Sequence, residues 1–155
     1  MQIRICAVGR LRGGPEKALA DDYLDRFART GRALGLGPVT LREVEAHGGG
    51  MAAEAALLAR AIPEGAVRVV LDERGETLTS PAFARRIGDW RDAGHAQLAF
   101  VIGGADGTDP SLREGAALCL SLGAMVWPHM LVRVMLAEQL YRAAQILAGT
   151  PYHRA

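Results

Sequence analysis

The chain ends in Pro151-Tyr152-His153-Arg154, and these side-chain types can stack on a flat ring, move a proton near neutrality and hold an anion. Taken alone, such a tail reads equally as a frayed terminus. Upstream, His129 and Arg133 fall one turn apart at the start of a long apolar stretch. Positive charge there opposes a helix dipole, which favours anions at its N-terminus. That local cost fits a docked anionic or electron-rich partner, or two residues simply left in water. Ile102-Gly103-Gly104-Ala105-Asp106-Gly107 follows a strand-like run, and glycine permits close backbone approach to a ligand. The pattern is neither GxGxxG nor GxxxxGK[ST], which sets aside a dinucleotide fingerprint and a P-loop. A glycine-rich turn and a ligand loop both remain open. Leu122-Gly123-Ala124-Met125-Val126-Trp127-Pro128-His129 is too apolar for an exposed connection, which prefers polar turn residues. It is expected to be buried or to cover something apolar. With the double glycine it would clasp a flat aromatic ring such as adenine through main-chain N–H and C=O groups.

Other chemistries find little support. Asp72 ends a buried run, but a receiver-type phosphoacceptor needs an acidic pair after the first strand, where Gly9-Arg10 stands. Ser80, Ser111 and Ser121 lack a nucleophile elbow. Cys6 and Cys119 lie apart in apolar runs with no ligand spacing, as buried thiols in a reducing cytoplasm would, and no metal is expected. His47 and His95 sit in turn-like regions, solvated. All but one of the 18 basic residues are arginine, in small clusters such as Arg10/Arg12/Lys17, and the net charge is only +1. Charge therefore does not by itself identify a nucleic-acid binder. No stretch approaches the roughly 20 apolar residues of a membrane span, and the opening Met1-Gln2-Ile3-Arg4-Ile5 reads as a strand, not a signal peptide.

Strand-like and helical patterns alternate along the 155 residues. Strands are expected at 3–8, 39–44, 67–71, 98–102 and 118–122. Helices are expected at 15–30, 51–61, from Ser80 (as N-cap) to about Arg91, briefly after Asp109-Pro110, and from His129 onward. The pattern predicts one α/β domain over 1–155 whose mostly parallel sheet, five- or six-stranded, has helices on both faces. Ligands in such folds bind outside the carboxyl ends of the strands. That selects the loops 9–14, 71–77, 103–109 and 122–129. The terminal helix carries Leu131, Val134, Met135, Leu140, Ala144 and Leu147 around most of its circumference, with Glu138, Arg142 and Gln145 as its polar stripe. Two covers are expected for it, the sheet and a second subunit, and hence a homodimer.

The combination of Ala7-Val8-Gly9-Arg10-Leu11, strand–Gly-Gly-x-x-Gly, Leu-Ser-Leu-Gly…Pro-His, Leu-Val-Arg-Val…Ala-Glu-Gln-Leu-Tyr-Arg-Ala and the terminal Pro-Tyr-His-Arg resembles the SPOUT class of S-adenosylmethionine-dependent RNA methyltransferases. Within that class it resembles the ribosomal RNA large subunit methyltransferase H family. The resemblance covers essentially the full length. It implies a deep C-terminal trefoil knot, an obligate homodimer, and methylation at N3 of a pseudouridine in large-subunit rRNA. It places S-adenosyl-L-methionine contacts on Leu71, Gly103, Leu122, Gly123, Ala124, Met125, Val126 and Trp127. It makes His153 the candidate base, Tyr152 a stacking platform, and Arg154, Arg133 and Arg142 stabilisers of negative charge on the base or binders of phosphate. His129 with Arg133 is the fallback centre. The weak net charge points to assembled ribosomal particles over naked rRNA as substrate, and the tail after Pro151 is expected to bury little. Another RNA as substrate, or a non-catalytic nucleotide-binding dimer module, are the alternative readings.

Overall fold

The computed structural model describes Met1–Arg154. Five strands form one all-parallel sheet: β1 (Gln2–Val8), β2 (Val39–Val44), β3 (Val67–Thr77), β4 (Gln97–Ile102) and β5 (Leu118–Ser121), in the order β2-β1-β4-β3-β5. The helices are α1 (Pro15–Gly31), α2 (Gly50–Ala61), α3 (Ser80–Asp92), α4 (Pro110–Arg113) and α5 (His129–Leu147). Central parallel strands covered on both faces need continuous apolar runs, and Val69-Val70 and Leu98-Ala99-Phe100-Val101 are all 0% exposed. Side chains alternate along β1. Ile3, Ile5 and Ala7 join Phe27 of α1, Phe83 and Ile87 of α3, and Leu136 and Leu140 of α5 on one face. Cys6 and Val8 meet Ala55 and Leu58 of α2 and Leu112 of α4 on the other. Burial pushes the Cys6 thiol up to about 11, so it stays protonated and inert.

Three differences from the sequence expectation bear on function. First, residues 72–77 are not a free loop. The strand β3 resumes after an irregular stretch, so that Leu71 and Glu76 both face Leu120 of β5. Gly75 permits this, because its α-carbon lies so close to the Cys119 main chain that a Cβ has no room. Asp72 and Arg74 are thereby displayed at the end of the regular ladder. Second, the cap of α3 is Thr79, whose hydroxyl accepts from the Ala82 N–H; Ser80 is turned away and donates to Gln139. Third, α5 finds its second cover within the same protomer. It packs against α1 and α3 as well as the sheet, and Leu136, Ala137 and Leu140 are 0% exposed without any partner. Each buried leucine contributes roughly 1.5–3 kcal/mol of burial. What α5 leaves uncovered is its first turn, where Met130 and Leu131 are 39% and 38% exposed, next to Trp127 just before it, at 40%.

Candidate methyl-donor site and C-terminal tail

A cleft of about 800 Å³ opens at the carboxyl ends of β3, β4 and β5, where the strand-end rule places a ligand. Its floor is Leu71, Ile102 and Leu120, one wall is the 103–108 loop, and the other is Leu122 to His129. The glycine loop is closed on itself. Gly104 and Gly107 form an isolated antiparallel bridge, and the Gly107 N–H donates to the Gly104 carbonyl at 3.1 Å. A Cβ on Gly103 would lie 2.6 Å from the Gly107 carbonyl oxygen and 3.0 Å from Thr108 Oγ1. Only glycine fits there, so the bare main chain of Gly103 faces the cleft. Thr108 Oγ1 donates to the Leu71 carbonyl at 3.3 Å, which ties the ends of β3 and β4 together. The opposite wall turns on Ser121, whose hydroxyl donates to the Gly123 carbonyl (2.9 Å) and accepts from the Gly123 N–H (3.2 Å). With φ +124° at Gly123, this turn requires a glycine. Ser121 was invisible as a site residue because a lone strand-end serine carries no motif.

Of the two expectations for the apolar 122–129 segment, burial does not hold in the protomer, which leaves it as a cover for something apolar. Met125 and Val126 are 72% and 79% exposed and form a lip over the cleft. Asp72 also lines the cleft. Burial pushes its carboxyl up, but the hydrogen bonds from Arg74 and the positive charge of Arg74 and Arg113 win, holding it below the usual range. It is an ionised member of an arginine cluster, not a proton donor.

His129 sits at the cleft rim with Nε2 about 3.5 Å from where a Gly9 Cβ would be. Arg133 is different. It is 3% exposed, donates to Glu43 Oε2 at 2.7 Å and to the carbonyls of Val8 (2.6 Å) and Gly9 (2.5 Å). The positive charge at the start of α5 is therefore answered inside the protein, by half-buried Glu43 and two main-chain carbonyls.

The tail is docked on α5, not frayed. The Tyr152 hydroxyl donates to Glu138 Oε1 at 3.1 Å; its ring meets Tyr141 edge-on at 4.6 Å and lies under the Arg142 guanidinium at 4.9 Å. Burial and the Glu138 carboxylate push the Tyr152 phenol up to about 12. It stays protonated at any working pH and is no general base. Arg142 Nη1 lies 3.4 Å from His153 Nδ1. A guanidinium only donates, so Nδ1 is the acceptor in this contact. Arg154 is exposed. From His129 to Arg142 the helix rises about 20 Å, at roughly 1.5 Å per residue. The fold thus brings Leu71, Gly103, Leu122, Gly123 and Met125 to Trp127 together around the cleft, while Tyr152 and His153 dock on Glu138 and Arg142, roughly 13–20 Å along α5 from His129. Among the described residues no group of three or more His, Cys, Asp or Glu is placed to hold a metal, and no helix is long and apolar enough to cross a membrane.

A parallel sheet whose strand ends form a main-chain cradle, closed by an apolar lip and a C-terminal helix, defines a class. The model of the family described as "Predicted SPOUT methyltransferase" matches residues 1–153, and the chain belongs to that family. It is 70% identical over 155 residues to the "Ribosomal RNA large subunit methyltransferase H" of Paracoccus denitrificans (strain Pd 1222), 69% to that of Roseobacter denitrificans and 68% to that of Ruegeria pomeroyi, with 99% of each chain covered. A solved structure, that of a probable methylase family protein from Haemophilus influenzae Rd KW20, superposes with a TM-score of 0.50 at 11% identity. The match covers 99% of this chain and 70% of that one, and supports the fold alone.

Proposed function

We propose that this chain transfers the methyl group of S-adenosyl-L-methionine to N3 of a pseudouridine in large-subunit ribosomal RNA, in the cytoplasm, as a homodimer working on assembled ribosomal particles. The observation that carries the reading is the cradle in which Gly103 has no room for a Cβ and Leu122, Gly123, Met125, Val126 and Trp127 form the opposing wall; Ala124, also expected to contact the donor, does not line the cleft. The wall residues and Leu71 would hold the adenosyl part through backbone groups and apolar surface. When bound, the donor supplies an electrophilic methyl on a sulfonium. The protein's own contribution is mainly orientation. The imide N3 loses a proton as it attacks, and His153 Nδ1 is the candidate acceptor. In the docked tail that nitrogen already accepts from Arg142. It becomes available only when Arg142 falls back wholly on Glu138, to which it donates at 3.0 and 2.5 Å. Tyr152 offers a ring face and Arg154 an exposed cation for the base or its phosphate. Arg133 is proposed as a brace for the β1 end, not as a group that touches substrate. After leaving the edge strand β5, α5 is bonded near its start, through Arg133, to the Val8 and Gly9 carbonyls at the end of β1; the deep C-terminal knot of the class is part of this proposal.

Because Tyr152 and His153 dock on Glu138 and Arg142 and do not line the cleft, we read the working site as completed by the tail of a second copy. The exposed cluster of Met125, Val126, Trp127, Met130 and Leu131 supplies apolar surface for that contact. Leu136 and Leu140 do not serve it; both belong to the protomer core. Leu131→Glu is therefore expected to give a folded monomer that has lost methyl transfer, whereas Leu140→Glu unfolds the chain. Light scattering at micromolar concentration with thermal melts checks both; a dimeric, active Leu131→Glu protein would place the interface elsewhere. The function itself is tested by incubating the protein with labelled donor and ribosomal particles from a strain lacking it. Mass mapping should find one added methyl at a large-subunit pseudouridine. Transfer to no large-subunit RNA overturns the reading.

A further inference from the structure

The loop joining β1 to α1 is built to hold two arginines in water beside the cleft. Leu11 is its anchor, 8% exposed, and its N–H donates to Glu43 Oε2 at 2.7 Å. Below it, the Gly9 N–H donates to the Val44 carbonyl at 2.8 Å, and the buried Arg133 grips the Val8 and Gly9 carbonyls. With its base fixed and Leu11 turned in, the residues on either side point out: the side chains of Arg10 and Arg12 are 60% and 79% exposed. Among the described residues their only carboxylate partner is Glu45, shared between them at 3.7 and 3.8 Å. Exposed pairs this long contribute roughly 0–1 kcal/mol, so two cations share one weakly held countercharge. Glu43 cannot help, being engaged by Arg133 and Leu11. The loop also abuts the cleft, since Gly9 lies against His129 at its rim.

We propose that Arg10 and Arg12 form an RNA-backbone contact that seats the target strand at the mouth of the cleft, each replacing Glu45 by a phosphate. This rests on the reading of the cleft as the methyl-transfer site. Phosphate contacts fix register and orientation without reading sequence, which is what a nearly neutral chain with net charge +1 needs from a local patch. Guanidinium suits the bidentate geometry of phosphate.

The test is an Arg10→Ala/Arg12→Ala protein, compared with Arg29→Ala/Arg60→Ala, which removes equal charge from exposed ends of α1 and α2. The first is expected to raise KM for ribosomal particles on the order of tens-fold at about 0.1 M salt. It should also flatten the dependence of log affinity on log salt by roughly 1.4–1.8. Melting temperature, donor affinity by calorimetry and kcat should stay within error, and Arg10→Lys/Arg12→Lys should recover most of the loss. The Arg29/Arg60 variant should match the unaltered protein. Unchanged KM and salt slope in the first variant, or an equal loss in the second, overturns the proposal. Absence of transfer by the unaltered protein would instead be a failure of the methyltransferase reading itself.

Discussion

A Gly103→Val protein is expected to fold and yet lose methyl-donor affinity by about 10- to 100-fold, the equivalent of the 1–3 kcal/mol that overpacking costs. The reason is local. A Cβ at this position meets the Gly107 carbonyl carbon at 3.0 Å and its oxygen closer still. The loop must open before any ligand arrives, and the Gly104–Gly107 bridge and the Thr108 tether to Leu71 go with it. The side chain thus acts by deforming the cradle more than by occupying it. Gly103→Ala meets the same obstacle with less bulk and should show a smaller loss in the same direction. Calorimetric titration with S-adenosylmethionine, beside a thermal melt, decides the matter. Unchanged affinity in a folded valine variant would show that the donor lies elsewhere.

The second large effect comes from mixing. A protein shortened after Pro151 keeps its cleft but lacks Tyr152, His153 and Arg154; Gly103→Val keeps the tail but lacks the cradle. The shortened protein alone is expected to be inactive on ribosomal particles, and Gly103→Val nearly so at donor concentrations well below its weakened Kd. Unfolded together and refolded, they should recover roughly a quarter of normal activity, since random twofold pairing makes half the dimers hybrids and each hybrid has one complete site. Recovery is impossible if cleft and tail of the same chain cooperate, so a dead mixture containing verified hybrid dimers refutes the shared site. The shortened protein should also melt lower than the full chain. The tail was expected to bury little, but Tyr152 contributes a hydrogen bond to Glu138 and ring contacts with Tyr141 and Arg142.

Most of the architecture was legible because a parallel sheet writes itself in buried runs, and the strands at 3–8, 39–44 and 98–102 fall within a residue of their positions. The cleft was legible from two apolar or glycine-rich loops at strand ends. What escaped was tertiary. Nothing local announces that β3 resumes past Asp72, because the cause is the fit of Gly75 against Cys119 from another strand. The covering of α5 was misassigned for a similar reason: periodicity counts apolar sides without saying which neighbour covers each. Arg133 looked like a free cation because Glu43 and the Val8 carbonyl are remote in sequence. The docking of Tyr152 on Glu138 likewise joins a tail to a helix face, a pairing no local motif encodes.

The Arg133 clamp also sets an order of manufacture. Its guanidinium reaches back 125 positions to the Val8 carbonyl. At roughly 5–20 residues per second of synthesis, the first strand waits on the order of ten seconds before the group that secures its end exists. Until then the apolar floor formed by Phe27, Phe83 and Phe100 has no α5 to cover it. Maturation is therefore gated by the last helix, and a nascent polypeptide broken off before Pro128 is left as a client for chaperones or proteases. Only copies translated to near the end become enzymes, a form of quality control written into the chain's own connectivity.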